Sequence, residues 1–175
     1  MEIRALHEGD DRLQFRSGDV DLDRFFQKFA GQNQFKHYLG VTYVAVETGR
    51  IIGFATVAPG HVEIDGLPAA VRKKLPRYPL PVLRLARLAV DETVRGQGLG
   101  AQLLRFVLQL ALRMARDVGC IGVAVDAKPD AVDFYKKYGF TSVDLAEGQS
   151  DARPSPIPMF LATRAIRMAL GGDEN

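Results

Sequence analysis

Apolar and polar positions along this chain follow two periods, near two and near three to four, and the order in which they appear predicts an α/β fold. Residues 2–6 make a first short strand. Leu22, Phe25, Phe26 and Phe29 follow at helical spacing behind Asp19 or Asp21 as a cap, and the pattern places all four in a core. Val41 to Glu47 and Ile51 to Val57 are β-branched-rich and joined by Thr48-Gly49-Arg50, the signature of a hairpin. Residues 59–81 hold five prolines and predict a connection with one short helix near Ala69 to Lys74. Leu83 to Val90 alternates as a strand. From Ala101 to Val118 the residues Leu104, Val107, Leu108, Ala111, Ala115 and Val118 form a buried stripe, with Gln102, Arg105, Gln109, Arg113 and Arg116 opposite and Gly119 as the stop. Cys120 to Val125 is a continuous apolar run, the kind of strand covered on both faces. Because it follows a strand and a helix, it is most simply parallel to Leu83 to Val90 through a right-handed crossover. Asp130 to Tyr138 reads as a further helix, Phe140 to Val143 and Met159 to Ala162 as strands, Gly148 to Pro158 as a loop, and residues 171–175 as a short charged tail.

Composition narrows the possibilities. At 175 residues and 47% hydrophobic, the chain suits one well-filled domain, here residues 1–170. A net charge of +2 means that any nucleic-acid contact must come from local clustering. Arg72, Lys73, Lys74 and Arg77 are such a cluster, readable as a solvated face or as an interface. The single cysteine, Cys120, excludes an internal disulfide and sits in an apolar run as a core residue does. His7, His37 and His61 match no metal-ligand spacing, so no metal is expected. The N-terminus lacks a signal-peptide core, and the longest apolar helix is interrupted by Gln109 and Arg113. The expectation is a soluble cytoplasmic protein without a membrane segment.

The chemistry gathers around Arg95-Gly96-Gln97-Gly98-Leu99-Gly100, a glycine-rich turn between a strand and a helix. Such a turn leaves the first helical N–H groups unpaired and lets backbone approach a ligand without Cβ interference, which makes an anion pocket. It lacks the Gly-Lys-Ser/Thr ending of a Walker A loop and the late third glycine of a dinucleotide fingerprint. A plain tight turn is the other reading. Further on, Asp130-Ala131-Val132-Asp133-Phe134-Tyr135-Lys136-Lys137-Tyr138-Gly139-Phe140 completes an order of strand, Arg-x-x-Gly-x-Gly, helix, strand and Phe-Tyr-x-x-Tyr-Gly-Phe. That order resembles the GCN5-related N-acetyltransferase family.

The resemblance implies a central mixed and mostly antiparallel twisted sheet with splayed parallel central strands, flanked by helices. It also implies acetyl-CoA as co-substrate. The family's pyrophosphate contacts carry over to Arg95, Gly96, Gln97, Gly98, Gly100 and Ala101, and its pantetheine edge to Leu88, Ala89 and Val90. Tyr135 stands where family members have the tyrosine that protonates the departing thiolate, a helix residue beside Phe134 being the other reading. Many members also have a glutamate on the strand matching Arg84 to Val90, and here that strand has no carboxylate. An α-amine titrates near 8, against about 10.4 for lysine, so it needs little base. The missing carboxylate thus points to an α-amine acceptor, a distant glutamate or a water chain as base being the other reading. The family's frequent asparagine before the catalytic helix is also missing, since this chain reads Asp126-Ala127-Lys128-Pro129-Asp130.

Phe15-Arg16-Ser17-Gly18, Leu22-Asp23-Arg24-Phe25, Leu75-Pro76-Arg77-Tyr78-Pro79, Arg87-Leu88-Ala89-Val90-Asp91 and Pro158-Met159-Phe160-Leu161-Ala162-Thr163 are similar to the acetyltransferase toxins of type II toxin–antitoxin modules. That resemblance implies acetylation of aminoacyl-tRNA, a block of translation, a ribbon-helix-helix antitoxin as partner and a homodimer. It makes Arg72, Lys73, Lys74, Arg77, Arg84, Arg87, Lys136 and Lys137 candidates for tRNA phosphate contacts. Acetylation of a small or protein amine, and a silent acyl-CoA-binding regulatory module, are the competing readings.

Overall fold

A computed structural model of the chain describes residues 1–143 and 155–171. The seven strands are β1 (Glu2–Ala5), β2 (Val41–Glu47), β3 (Arg50–Val62), β4 (Leu80–Val90), β5 (Gly122–Ala127), β6 (Thr141–Ser142) and β7 (Ile157–Ala162). They order as β1-β2-β3-β4-β5-β7-β6, a mixed sheet with one parallel pair. The Ile121 N–H donates to the Pro81 carbonyl at 2.8 Å, start of strand to start of strand, which is how parallel β4 and β5 meet. The helices are α1 (Val20–Arg24), α2 (Ala30–Phe35), α3 (Ala69–Arg72), α4 (Leu99–Asp117), α5 (Val132–Lys137) and α6 (Thr163–Leu170). The expected loop over 148–158 lies for the most part outside the described residues, as does nearly all of the expected tail. No helix among the described residues is long and apolar enough to cross a membrane.

The chain divides into two compact units. One comprises Met1–Ala58 with Leu85–Val107, the other Pro59–Arg84 with the residues from Leu108 onwards. The first unit is built on aromatic rings. Phe26 stacks on Phe54 at 4.4 Å between centroids and 6° between planes, and Phe15 meets both edge-on at 5.1 and 5.4 Å. A second cluster sets Leu99 and Leu103 of α4 against Ala45 and Ile52. Gly53 makes that approach possible, because a Cβ there would stand 2.9 Å from Leu103 and 3.0 Å from Leu99. The hairpin forms as its sequence dictates, with Thr48 and Gly49 both at positive φ in the turn and Glu47 opposite Arg50.

Asp19 caps α1, its carboxylate accepting from the Asp21 and Leu22 N–H groups at 3.0 and 3.1 Å. The helix does not continue regularly into α2. Phe25–Phe29 is a π segment in which the Ala30 N–H donates to the Phe25 carbonyl. That wider turn changes the phase of the apolar face. Phe25 and Phe26 are buried as expected, whereas Phe29 is 37% exposed and leaves the predicted core.

In the second unit, Val62, Leu67, Leu80, Val82, Ala124 and Phe160 form the core. Gly122 lies against the Phe160 ring so closely that no Cβ could be added. Cys120 is buried and its thiol donates to the Gly122 carbonyl at 3.2 Å, a core residue as read. Val118 departs from its predicted stripe, since α4 ends at Asp117 and Val118 is 81% exposed. β3 runs five residues beyond the expected Val57, and α6 has no counterpart among the predicted elements.

Candidate active site

The glycine turn lies in the first unit. Gly96 and Gly98 have φ of +79° and +82°, with open space where a Cβ would be, so backbone conformation alone selects glycine there. α4 starts at Leu99, and the Gln102 N–H donates to the Gly98 carbonyl at 3.2 Å. Leu99, Gly100 and Ala101 therefore have no intrahelical acceptor for their N–H groups. Gln97 is exposed at the tip. Exposed backbone at Gly96, Gln97 and Gly98 leading into unpaired donors at the positive end of a helix of 19 residues fits a pyrophosphate.

Arg95 reaches a second loop of the same unit. Its guanidinium donates to the Ser17 carbonyl, with Gly18 beside it at φ +91° and a would-be Cβ 3.0 Å from Nη2. This contact belongs to a network that the sequence reading missed. Asp91, 1% exposed at the end of β4, accepts from the Arg16 N–H at 3.1 Å, the Thr93 N–H at 3.0 Å, the Thr93 hydroxyl at 2.6 Å and Arg50 at 2.9 Å. Burial pushes its carboxyl up, but the Thr93 and Arg16 hydrogen bonds and the Arg50 charge outweigh that and hold it below the usual range. Ser17 is fixed in turn through Asp23, which accepts from its N–H at 2.9 Å and its hydroxyl at 2.7 Å. The only sequence signal for this was Asp91 directly after an apolar strand. Leu88 and Val90 pack against the Leu99 and Leu103 cluster, and Ala89 is buried.

Two clefts open beside the middle of β4 in the same unit. Arg87 lines both, its guanidinium carbon 3.6 Å above the Phe25 ring. Burial lowers its pKa, yet an arginine so far above neutrality keeps its charge.

In the second unit, Tyr135 is 5% exposed on α5, edge-on to Phe134 at 5.1 Å and Phe140 at 5.4 Å. Burial pushes its phenol well above the usual value of about 10. Its hydroxyl has no hydrogen bond among the described residues. Tyr138 touches Phe134 on its other side at 5.2 Å. Arg72, Lys73 and Arg77 line one shallow cleft of about 410 Å³ together with Asp65, while Lys74 is exposed outside it. Arg84 is paired with Asp126 at 3.5 Å, so a substrate phosphate would have to compete for it. Lys136 and Lys137 are exposed at the end of α5. Among the described residues no group of three or more His, Cys, Asp or Glu could hold a metal.

The acetyltransferase (GNAT) domain pattern matches residues 39–142. A tRNA-acetylating toxin of Mycobacterium tuberculosis strain H37Rv is 36% identical over 140 residues, covering 78% of this chain and 82% of that protein. Among solved structures, a tyrosine-to-phenylalanine mutant of KacT superimposes with a TM-score of 0.83 at 25% identity, over 96% of this chain and 98% of that one. AtaTR bound with AcCoA superimposes with a TM-score of 0.76 at 25% identity, over 96% of each chain.

Proposed function

The chain belongs to the GNAT acetyltransferase family, and from that premise we propose that it acetylates the α-amine of aminoacyl-tRNA as a translation-blocking toxin. The observation that carries the reading is the turn at Gly96 to Ala101, whose glycine conformations and unpaired backbone donors at the start of α4 suit an anion. The tRNA-acetylating relative supports the acceptor. So does charge, since residues 66–90 contain six cations (Arg72, Lys73, Lys74, Arg77, Arg84 and Arg87) and no carboxylate.

Acetyl-CoA supplies an activated acetyl thioester. Gly96, Gln97, Gly98, Gly100 and Ala101 hold its pyrophosphate through N–H groups, and the Leu88 to Val90 edge pairs with the pantetheine amides. Arg95 serves this site through the loop it anchors. The neutral α-amine nitrogen attacks the thioester carbonyl carbon, the C–S bond breaks, and Tyr135 gives its proton to the departing sulfur. The proton shed by the attacking nitrogen as the amide forms leaves to water, the Tyr135 phenolate takes a proton back from water, and an α-amine near pKa 8 is already partly neutral at pH 7, so β4 needs no carboxylate. A raised phenol is a reluctant donor, but it is certain to carry its proton when the thiolate forms. A ribbon-helix-helix antitoxin and a homodimer complete the proposal.

The test offers aminoacylated tRNA, lysine peptides and polyamines, with labelled acetyl-CoA, to the purified protein and to Tyr135→Phe. Label on aminoacyl-tRNA that falls sharply in the variant is the expected result. Label confined to a free amine would leave the family assignment standing and remove the toxin reading.

A further inference from the structure

The π segment turns Phe29 out of the core, and what it faces has the make-up of a nucleotide site. Phe29 lines an open cleft of about 370 Å³ together with Asp21, Arg24, Phe25, Asn33 and Arg87. The Arg24 guanidinium lies 5.8 Å from the Phe29 ring centre. Arg87 has one face on Phe25, and among the described residues neither its N–H groups nor the Asn33 carboxamide makes a hydrogen bond. An exposed ring takes a base by stacking, two guanidiniums take phosphate, and Asn33 and Asp21 offer polar edges to base or ribose. Single-stranded RNA is recognised by this combination. A smaller hollow of about 100 Å³ also borders Phe25, Asn33 and Arg87 and is lined by the buried Thr42 and Thr56, whose hydroxyls are 2.7 Å apart. It has room for a small group carried by that nucleotide.

We propose that the Phe29 cleft binds the unpaired 3′-terminal nucleotide of the acceptor RNA, with its base stacked on Phe29 and its phosphate on Arg24 and Arg87. The proposal rests on the reading that the acceptor amine is carried by tRNA. Nucleotide chemistry also occurs in the coenzyme's adenosine. The RNA end is favoured because Arg87 directly precedes the edge proposed for pantetheine, whereas the pyrophosphate turn begins only at Arg95, beyond the end of β4 at Val90.

The probe is a fluorescein-labelled RNA hairpin with an unpaired 3′-ACCA end, set against the same hairpin with a blunt end, and coenzyme A in a separate arm. Phe29→Leu keeps an apolar side chain but loses the ring, and Phe29→Tyr keeps the ring. Phe29→Leu should weaken binding of the overhanging hairpin about five- to hundred-fold. Phe29→Tyr should stay within about threefold, and the blunt hairpin and coenzyme A should not change. The KM for aminoacyl-tRNA should rise with kcat held. Equal effects on the two hairpins, or weaker coenzyme A binding, would overturn the assignment. If the wild type acetylates aminoacyl-tRNA and Phe29→Leu leaves its KM unchanged, this inference alone fails. If the wild type binds neither hairpin and acetylates no tRNA, both fail.

Discussion

Tyr135 and Asp91 are two buried ionisable groups whose environments work in opposite directions. Burial raises the Tyr135 phenol, so the proton it is proposed to give to the leaving sulfur stays in place across the working range. Tyr135→Phe should lower the transfer rate about 10²- to 10⁴-fold while coenzyme affinity stays within twofold, read by single-turnover transfer and equilibrium binding. The wild-type rate should climb near pH 8 as the α-amine loses its proton, with no fall from the phenol up to pH 10. A raised phenol stabilises the fold fully below about pH 10, and that contribution is lost as pH rises further. Asp91 has the other sign. Its depressed carboxyl contributes stability above about pH 3.9, and the contribution disappears as pH falls through the folded value. Asp91→Asn should cost about 1.5–3 kcal/mol at neutral pH. Its stability should fall less steeply than that of the wild type between about pH 4 and 2, measured by urea unfolding. Because Asp91 fixes the Arg16 and Thr93 backbone at the entry to the glycine turn, the variant's KM for acetyl-CoA should rise more than its kcat falls.

At the scale of elements, the start of α4 is positioned from two sides. Gly98 at φ +82° sets the direction of the turn, and Gly53 on β3 lets Leu99 and Leu103 settle on the sheet. Gly98→Ala has open space but the wrong conformation, and should cost about 1–2 kcal/mol. Gly53→Ala has ordinary strand backbone but no space, and overpacking of this kind costs about 1–3 kcal/mol. Both should raise the KM for acetyl-CoA, and thermal unfolding with and without coenzyme A separates them. Coenzyme A should raise the Tm of Gly53→Ala nearly as much as that of the wild type. Its effect on Gly98→Ala should be smaller, because there the donors themselves are misdirected. The π segment is the other element that shapes the surface. A regular helix over the same residues would return Phe29 to the core face that its spacing predicts, and the cleft beside Arg87 would keep Phe25 but lose the Phe29 ring.

For the whole molecule, 23 basic and 21 acidic residues nearly cancel, so long-range attraction to RNA has to come from where the charges sit. Six cations without a carboxylate between Gly66 and Val90 make such a region. If it meets tRNA phosphates, KM for aminoacyl-tRNA should rise steeply between 50 and 200 mM salt. A triple Arg72→Ala, Lys73→Ala, Arg77→Ala variant should reduce the log–log salt slope by about one unit per lost contact. Transfer to a small neutral amine, if the protein catalyses it, should barely respond to salt. A salt slope unchanged by the triple variant would remove the 410 Å³ cleft from the tRNA surface.

The linear order of residues by itself determined the strand–turn–helix at Arg95 to Gly100, the hairpin at Thr48-Gly49, the short helix at Ala69 and the place of Tyr135 on a helix. Each depends on local rules of periodicity, glycine conformation and capping that act within a few residues. The tertiary structure decided what those rules do not reach. It joined Asp91 to Arg16 and Arg50 across 75 and 41 residues of chain, engaged Arg95 with Ser17, and set Arg87 on Phe25 rather than among free surface charges. It also moved Phe29 outward through one wide turn, because helical spacing assumes a constant 3.6-residue period and a π segment breaks that period without leaving a mark in composition.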